Sequence, residues 1–185
     1  MRKTIAIALL TVVIILFGFI AVITDEQIME LFSNTYSKAD SLQDTRQLFD
    51  YFEGKASIPG TFNEAEASHL KDVRNIFIGV EIAFLLSLTA LLIVIPKKGT
   101  ADILKKGSKW TIAALLISVI IPFRAFFNIM HRIFFPQGNW TFPAQSTLIQ
   151  YYPQEFFFAY AGTIFLIIMM AALFVYLASL VIRKG

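Results

Sequence analysis

Two histidines, His69 and His131, are the only side chains in this chain whose ordinary titration range suits acid–base work near neutral pH. There is no cysteine. Thiol nucleophiles, disulfides and zinc–thiolate sites are therefore excluded. Around His69 stand Glu66 at i−3 and Asp72 at i+3, on one helical face. Around His131 stand Asn128 at i−3 and Arg124 at i−7. Arg124, Asn128 and His131 would form one polar stripe, with Arg124 about 10 Å deeper than His131 by helical rise. The chain lacks a G-x-S-x-G elbow, an H-E-x-x-H zinc motif and an H-x₄-D acyltransferase pattern. A metal site would have to combine the two histidines with Glu66 or Asp72, a possible ligand set that no spacing demands. What fits the residues is acid–base chemistry by two imidazoles.

These groups must be positioned by a membrane protein. The 185 residues are 57% hydrophobic and 16% charged, with a mean hydropathy of +0.67, against about 45–50% apolar and about 25% charged in a soluble domain. That excludes a disordered or nucleic-acid-binding chain. Four apolar runs reach the roughly 20 residues that a crossing helix needs. They are Thr4–Thr24, Ile76–Ile95 with Glu81 inside it, Trp110–Met130 with Arg124 inside it, and Phe156–Ile182. Intramembrane charges tend to pair or to face a cavity, so Glu81 and Arg124 are open to a structural pairing. The first run is too long for a signal peptide and reads as an uncleaved anchor.

Lysine and arginine set the orientation. Arg2 and Lys3, the 96–109 loop with Lys97, Lys98, Lys105, Lys106 and Lys109, and the terminal Arg183 and Lys184 fall on one side. The 25–75 segment carries ten acidic and five basic residues. The expectation is an all-α integral membrane protein, a single membrane domain over residues 1–185 with four spans and both termini cytoplasmic. Its outer segments would be 25–75 and 131–155, and it would be a multi-pass protein of the cytoplasmic membrane.

Both outer segments should be structured. Asp40–Phe52 has Leu48, Phe49 and Phe52 at helical spacing, with Gly54 beyond as a stop. Pro59-Gly60 marks a turn, and Asn63-Glu64-Ala65-Glu66 matches a capping box that starts the second helix outside the membrane. His69 would then stand roughly 10 Å above Ile76. Residues 132–158 hold nine aromatics together with Pro136, Gly138, Pro143 and Pro153, too apolar for a solvated loop and too broken for a helix. The expectation is a re-entrant aromatic loop forming a pocket at the outer leaflet; interfacial anchoring by the same aromatics is the plainer alternative. Asn139-Trp140-Thr141 also matches a glycosylation sequon, a weak pattern.

Taken together, Glu66-Ala67-Ser68-His69-Leu70-Lys71-Asp72-Val73, with its E-x-x-H-x-x-D-V pattern, and His131-Arg132-Ile133-Phe134-Phe135 followed by Trp140, Leu148-Ile149, Tyr152-Pro153 and Phe157-Phe158 resemble the lipoprotein intramolecular transacylase family of Gram-positive bacteria. The resemblance covers the whole chain. Where members often carry an acidic residue between the Trp and the Leu-Ile pair, this chain has Ala144-Gln145-Ser146-Thr147. The resemblance implies a reaction on a diacylglyceryl lipoprotein. One glycerol ester chain moves to the α-amine of the lipidated N-terminal Cys, giving an N-acyl, lyso-glyceryl product. It implies no cofactor, since donor and acceptor are one molecule. The expectation from the residues is no metal, no nucleic acid, contact with membrane lipids, a monomer, and, from the charge pattern, a site on the extracytoplasmic side. On that reading His69 is the general base, oriented by Asp72 or Glu66. His131 is the acid or oxyanion stabiliser, and Arg124 or Asn128 binds the substrate carbonyl or holds His131. Trp140 supports the site. A metal-dependent membrane hydrolase and a non-catalytic membrane accessory protein are the alternatives from other classes.

Overall fold

The structure is a computed structural model that describes residues 1–96 and 98–182. Lys97, Arg183 and Lys184, three of the charges used for orientation, lie outside the described residues. Among the described residues there are eight helices and no strand. They are α1 (Arg2–Ile23), α2 (Glu26–Tyr36), α3 (Leu42–Phe52), α4 (Glu64–Val94), α5 (Thr100–Ser118), α6 (Phe123–Phe134), α7 (Thr147–Tyr151) and α8 (Gln154–Ile182).

Helices α1, α4 and α8 are each long and apolar enough to cross a membrane, and α5 with α6 forms a fourth candidate that is broken. The Trp110–Met130 run is therefore not one continuous helix. Helical structure stops at Ser118 and resumes at Phe123, with Pro122 as its N-cap. Proline has no N–H to donate and its ring clashes with the preceding turn, so it starts a helix far more readily than it continues one. The depth difference expected between Arg124 and His131 assumes an unbroken span and loses that basis. Helix α4 is longer than the apolar run it contains, because the capping box starts it twelve residues before Ile76.

The chain forms two compact units. One takes Met1–Val22, Gly79–Ile121 and the chain from Thr163. Its core is Ala6, Leu10, Ile14, Leu91, Ile103, Leu115, Ile168 and Ala172. Small residues allow the close approaches there: a Cβ added at Gly18 would stand 2.3 Å from Ile168 Cγ1 and 3.0 Å from the Ile168 backbone nitrogen. Arg2 Nε donates to the Val94 carbonyl at 2.8 Å, satisfying an orphan acceptor at the end of α4. Leu85, Leu86, Leu92, Ile117, Phe174 and Val181 are exposed, the mark of a surface solvated by lipid rather than water.

The other unit takes Ile23–Ile78 and Pro122–Gly162. It holds the predicted helix over 40–52, observed as α3, with Gly54 at φ +83 as its stop. It also holds α2, a short helix that the reading of the segment 25–75 does not separate out. Asp25 caps α2 through its side chain, which accepts from the Ile28 N–H. α2 and α3 pack on each other, and their seam is polar. Ser33 Oγ pairs with Ser41 Oγ at 2.7 Å and with Thr45 Oγ1 at 3.0 Å, and Thr45 Oγ1 pairs with Tyr152 Oη at 3.0 Å. Leu48, Phe49, Tyr51, Phe62, Leu70, Leu148, Tyr152 and Phe156 form the apolar core that seats this unit.

Candidate functional site

The start of α4 is fixed first. Asn63 Oδ1 accepts from the Ala65 and Glu66 N–H groups, each at 3.0 Å, and Glu66 Oε2 accepts from the Asn63 N–H at 2.9 Å. The capping box is thus formed as the sequence predicts. Glu66 is fully buried, and its other oxygen accepts from the Leu148 N–H at 2.9 Å. Leu148 lies in the first turn of α7, where backbone donors are unsatisfied and a carboxylate is favoured. One carboxylate therefore ties the start of α4 to the start of α7. Ser146 also caps α7, its Oγ accepting from the Ile149 N–H, so the 144–147 stretch ends the loop with an uncharged cap.

His69 and His131 come together. Their ring centroids are 6.2 Å apart with planes inclined by 23°, and each residue is only 7% exposed. Aromatic rings close the space around them. Phe135 lies 4.5 Å from His69 and 5.4 Å from His131, Phe142 5.6 Å from His69, Phe127 3.9 Å and Trp140 5.0 Å from His131. The aromatic loop therefore does build walls around the site, and Trp140 belongs to them. Phe127, Phe135 and Phe142 are further wall residues. Phe127 and Phe135 flank His131 at i−4 and i+4, a spacing that marks them as neighbours on α6 and its exit.

The two imidazoles differ in their fixing. His131 Nδ1 sits 2.8 Å from the Phe127 carbonyl oxygen. A carbonyl can only accept, so Nδ1 carries the proton and Nε2 of the neutral ring carries the lone pair. His69 Nδ1 is buried without a hydrogen-bond partner. Both rings lie outside the apolar runs 76–95 and 110–130. Burial, then the neighbouring His131, push the His69 pKa down to about 4, with Asp72 pulling the other way. Burial also lowers His131, opposed by its bond to the Phe127 carbonyl. His131 sits in the last turn of α6, where the helix dipole favours a cation. Burial thus favours the neutral form of both rings, and His131 is the one equipped to stabilise an added proton.

The expected orienting groups do something else. Glu66 spends both oxygens on backbone N–H groups. Asp72 Oδ2 accepts from Asn139 Nδ2 at 2.7 Å and from Gln137 Nε2 at 2.9 Å, rather than pairing with Lys71 or Arg74. Neither carboxylate makes a hydrogen bond that orients His69. The Asn139 amide is also engaged and partly buried, which ill suits a glycosylation acceptor. Arg74 instead lies over the Tyr51 ring, 5.0 Å from its centroid. Arg124 is exposed and Asn128 half-buried on α6, and neither side chain makes a hydrogen bond or ion pair among the described residues. The Phe127 carbonyl, not Arg124 or Asn128, holds His131. The ion pairs among the described residues are Arg46–Glu30, Lys55–Glu53 and Lys106–Asp102, so Glu81 makes none. Among the described residues no three His, Cys, Asp or Glu side chains converge as a metal site, and the ligand set considered for a metal hydrolase is not assembled.

A search of the curated proteins finds no match. Solved structures do match. The membrane-integral lipoprotein intramolecular transacylase Lit from Bacillus cereus superposes with a TM-score of 0.82 at 20% identity, covering 99% of this chain and 95% of that one. Two variants of that enzyme with one histidine replaced, by arginine and by alanine, superpose at 0.80 and 0.81, also at 20% identity, covering 99% of this chain and 91% and 92% of theirs. These similarities concern the fold. The model of the lipoprotein intramolecular transacylase Lit family matches residues 3–157, most of the chain and all of the histidine site just described, and the chain belongs to that family.

Proposed function

We propose that the chain transfers one glyceryl ester acyl group of a diacylglyceryl lipoprotein to the α-amine of its own lipidated N-terminal Cys, at a site facing outward from a four-span bundle whose termini are cytoplasmic. The observation that carries this reading is the pair of buried, stacked imidazoles in an aromatic enclosure. The aromatic loop dips back toward the membrane, and both chains of the substrate stay in lipid. The protein acts as a monomer, because donor and acceptor arrive on one molecule.

We assign the division of labour from the hydrogen bond that fixes the His131 tautomer. The attacking amine forms an N–C bond to the ester carbonyl, and the C–O bond to glycerol breaks. His131 Nε2 takes the proton that the amine loses. The Phe127 carbonyl and the end of α6 stabilise the imidazolium that results. The same proton then passes to the departing glyceryl oxygen, so nothing is gained or lost overall. His69, kept neutral by burial, offers an N–H to the tetrahedral oxyanion. This reverses the roles expected from sequence, where a carboxylate partner was to make His69 the base. Holding amine and ester in contact is worth about 7–11 kcal/mol when the alignment is good. A dry aromatic enclosure strengthens each of these electrostatic contacts.

The reaction is an isomerisation, which gives a clean test. Purified protein in lipid nanodiscs is incubated with a synthetic diacylglyceryl-Cys lipopeptide. The expected product has unchanged mass and no primary amine. A product lighter by one acyl chain with its amine intact would show hydrolysis instead, and an untouched lipopeptide would refute the activity.

A further inference from the structure

Among the described residues, three buried polar atoms of the histidine-bearing unit lack a hydrogen-bond partner: His69 Nδ1, one turn before Asp72 on α4, Arg74 Nε, two residues after it, and Asn139 Oδ1, the one acceptor with a fixed direction, whose own amide nitrogen is bonded to Asp72. Asn139 precedes Trp140, which lies against His131. The amide cannot be turned round, because Asp72 accepts at that position and a carboxylate facing an amide oxygen would repel it. The free atom is therefore an acceptor, its direction fixed by the bond of the same amide to Asp72. A buried acceptor left unpaired costs about 1–3 kcal/mol, so a ligand that fills it must bring an N–H or O–H.

We infer that Asn139 Oδ1 receives an N–H of the substrate's α-amine and turns the nitrogen lone pair toward the ester carbonyl. This rests on the acyl-transfer reading of the site. Of the reacting groups, only the amine can donate. The ester carbonyl and the glyceryl ester oxygen are acceptors and gain nothing from an amide oxygen. Asp72 is the positioning residue behind the contact. Its carboxylate polarises the Asn139 amide, and its negative charge lies close to an amine that arrives partly protonated. Once the amine is acylated, its nitrogen keeps a single N–H and loses its basicity, so the contact weakens as product forms.

The test is binding, with turnover as a separate control. Lipopeptides with two ether-linked chains cannot transfer an acyl group. One carries the free α-amine and its partner has hydrogen in that place. The intact protein should bind the amine form about tenfold more tightly, the size of one well-made hydrogen bond. Asn139→Ala should bring that ratio close to one while leaving affinity for the deamino form unchanged. Asn139→Ser, which stays polar but falls short, should do the same and serves if the alanine variant does not fold. Gln137→Ala, which removes only the other bond to Asp72, should keep the preference. An intact protein with no preference, an Asn139 variant that retains it, or a Gln137→Ala variant that loses it equally would overturn the inference. Turnover of the ester-linked lipopeptide by the intact protein tests the acyl-transfer reading itself, so the two failures are distinguishable.

Discussion

Glu66 should be a structural clamp and not a member of the reacting set. Its carboxylate is fully buried and accepts two backbone hydrogen bonds, from Asn63 and from Leu148. Hydrogen bonds to a charged group contribute about 1.5–3 kcal/mol each. Glu66→Ala removes both acceptors, strands two backbone donors and opens a cavity, so it should cost about 3–6 kcal/mol. For a chain of this size, 1 kcal/mol moves the melting temperature by about 2–4 °C. The alanine variant should therefore melt at least about 6 °C lower in detergent. Glu66→Gln keeps one oxygen but turns an amide NH2 toward the other backbone donor, and should lose about half as much. Thermal unfolding followed by tryptophan fluorescence reads both, and activity in each variant should fall in step with loss of folded protein. A Glu66→Gln variant that melts like the parent yet is inactive would refute the argument and put Glu66 in the chemistry.

Other expectations follow from the same geometry. Both imidazoles have lowered pKa values, His69 to about 4, so the rate between pH 6 and 9 should follow the substrate amine, with a pKa of about 7.7–8.0. It should rise with unit slope and level off above about pH 8, and an inflection near the ordinary histidine value of about 6.5 in a rate profile would contradict it. The same shifts make the unfolded chain bind more protons than the folded one below about pH 6.5, so stability should fall on acidification from there toward pH 4; denaturation across that range would show it, with a weaker dependence in His69→Asn. Gly18→Ala should lower the melting temperature, because the new Cβ meets Ile168 backbone as well as side chain, whereas Gly60→Ala, with nothing within 4 Å, should not. Tyr152→Phe removes one bond of the Ser33–Thr45–Tyr152 chain and should cost about 0.5–1.5 kcal/mol without changing the rate per folded molecule.

Much of the site was legible because its signals are local. The Asn63–Glu66 box declares where α4 begins, and helical rise from there places His69 clear of the apolar run. The density of aromatics after His131 declares a wall-forming segment, since so many rings cannot be left in water. What stayed hidden depends on partners far along the chain. Glu66 meets Leu148 across 82 positions, and Asp72 meets Asn139 across 67. No spacing rule shows that these carboxylates are already committed, so they read as partners for His69. Hydropathy runs straight through Pro122, which hides the break between α5 and α6, although the proline is itself the signal. α2 escapes notice because Glu26–Tyr36 is short and mixed in polarity, and its helix is secured by packing on α3.

The central claim is that both histidines carry one acyl transfer. Its most direct test is fragment-ion mass spectrometry of a defined lipoprotein's N-terminal peptide, from a host that makes only diacylglyceryl lipoproteins. The chain is expressed intact, as His69→Ala and as His131→Ala, with each shown to be in the membrane. The account predicts an N-acylated, lyso-glyceryl peptide with the intact chain and unchanged diacylglyceryl peptide with either variant. Normal product from both variants, or none from the intact chain, would contradict it.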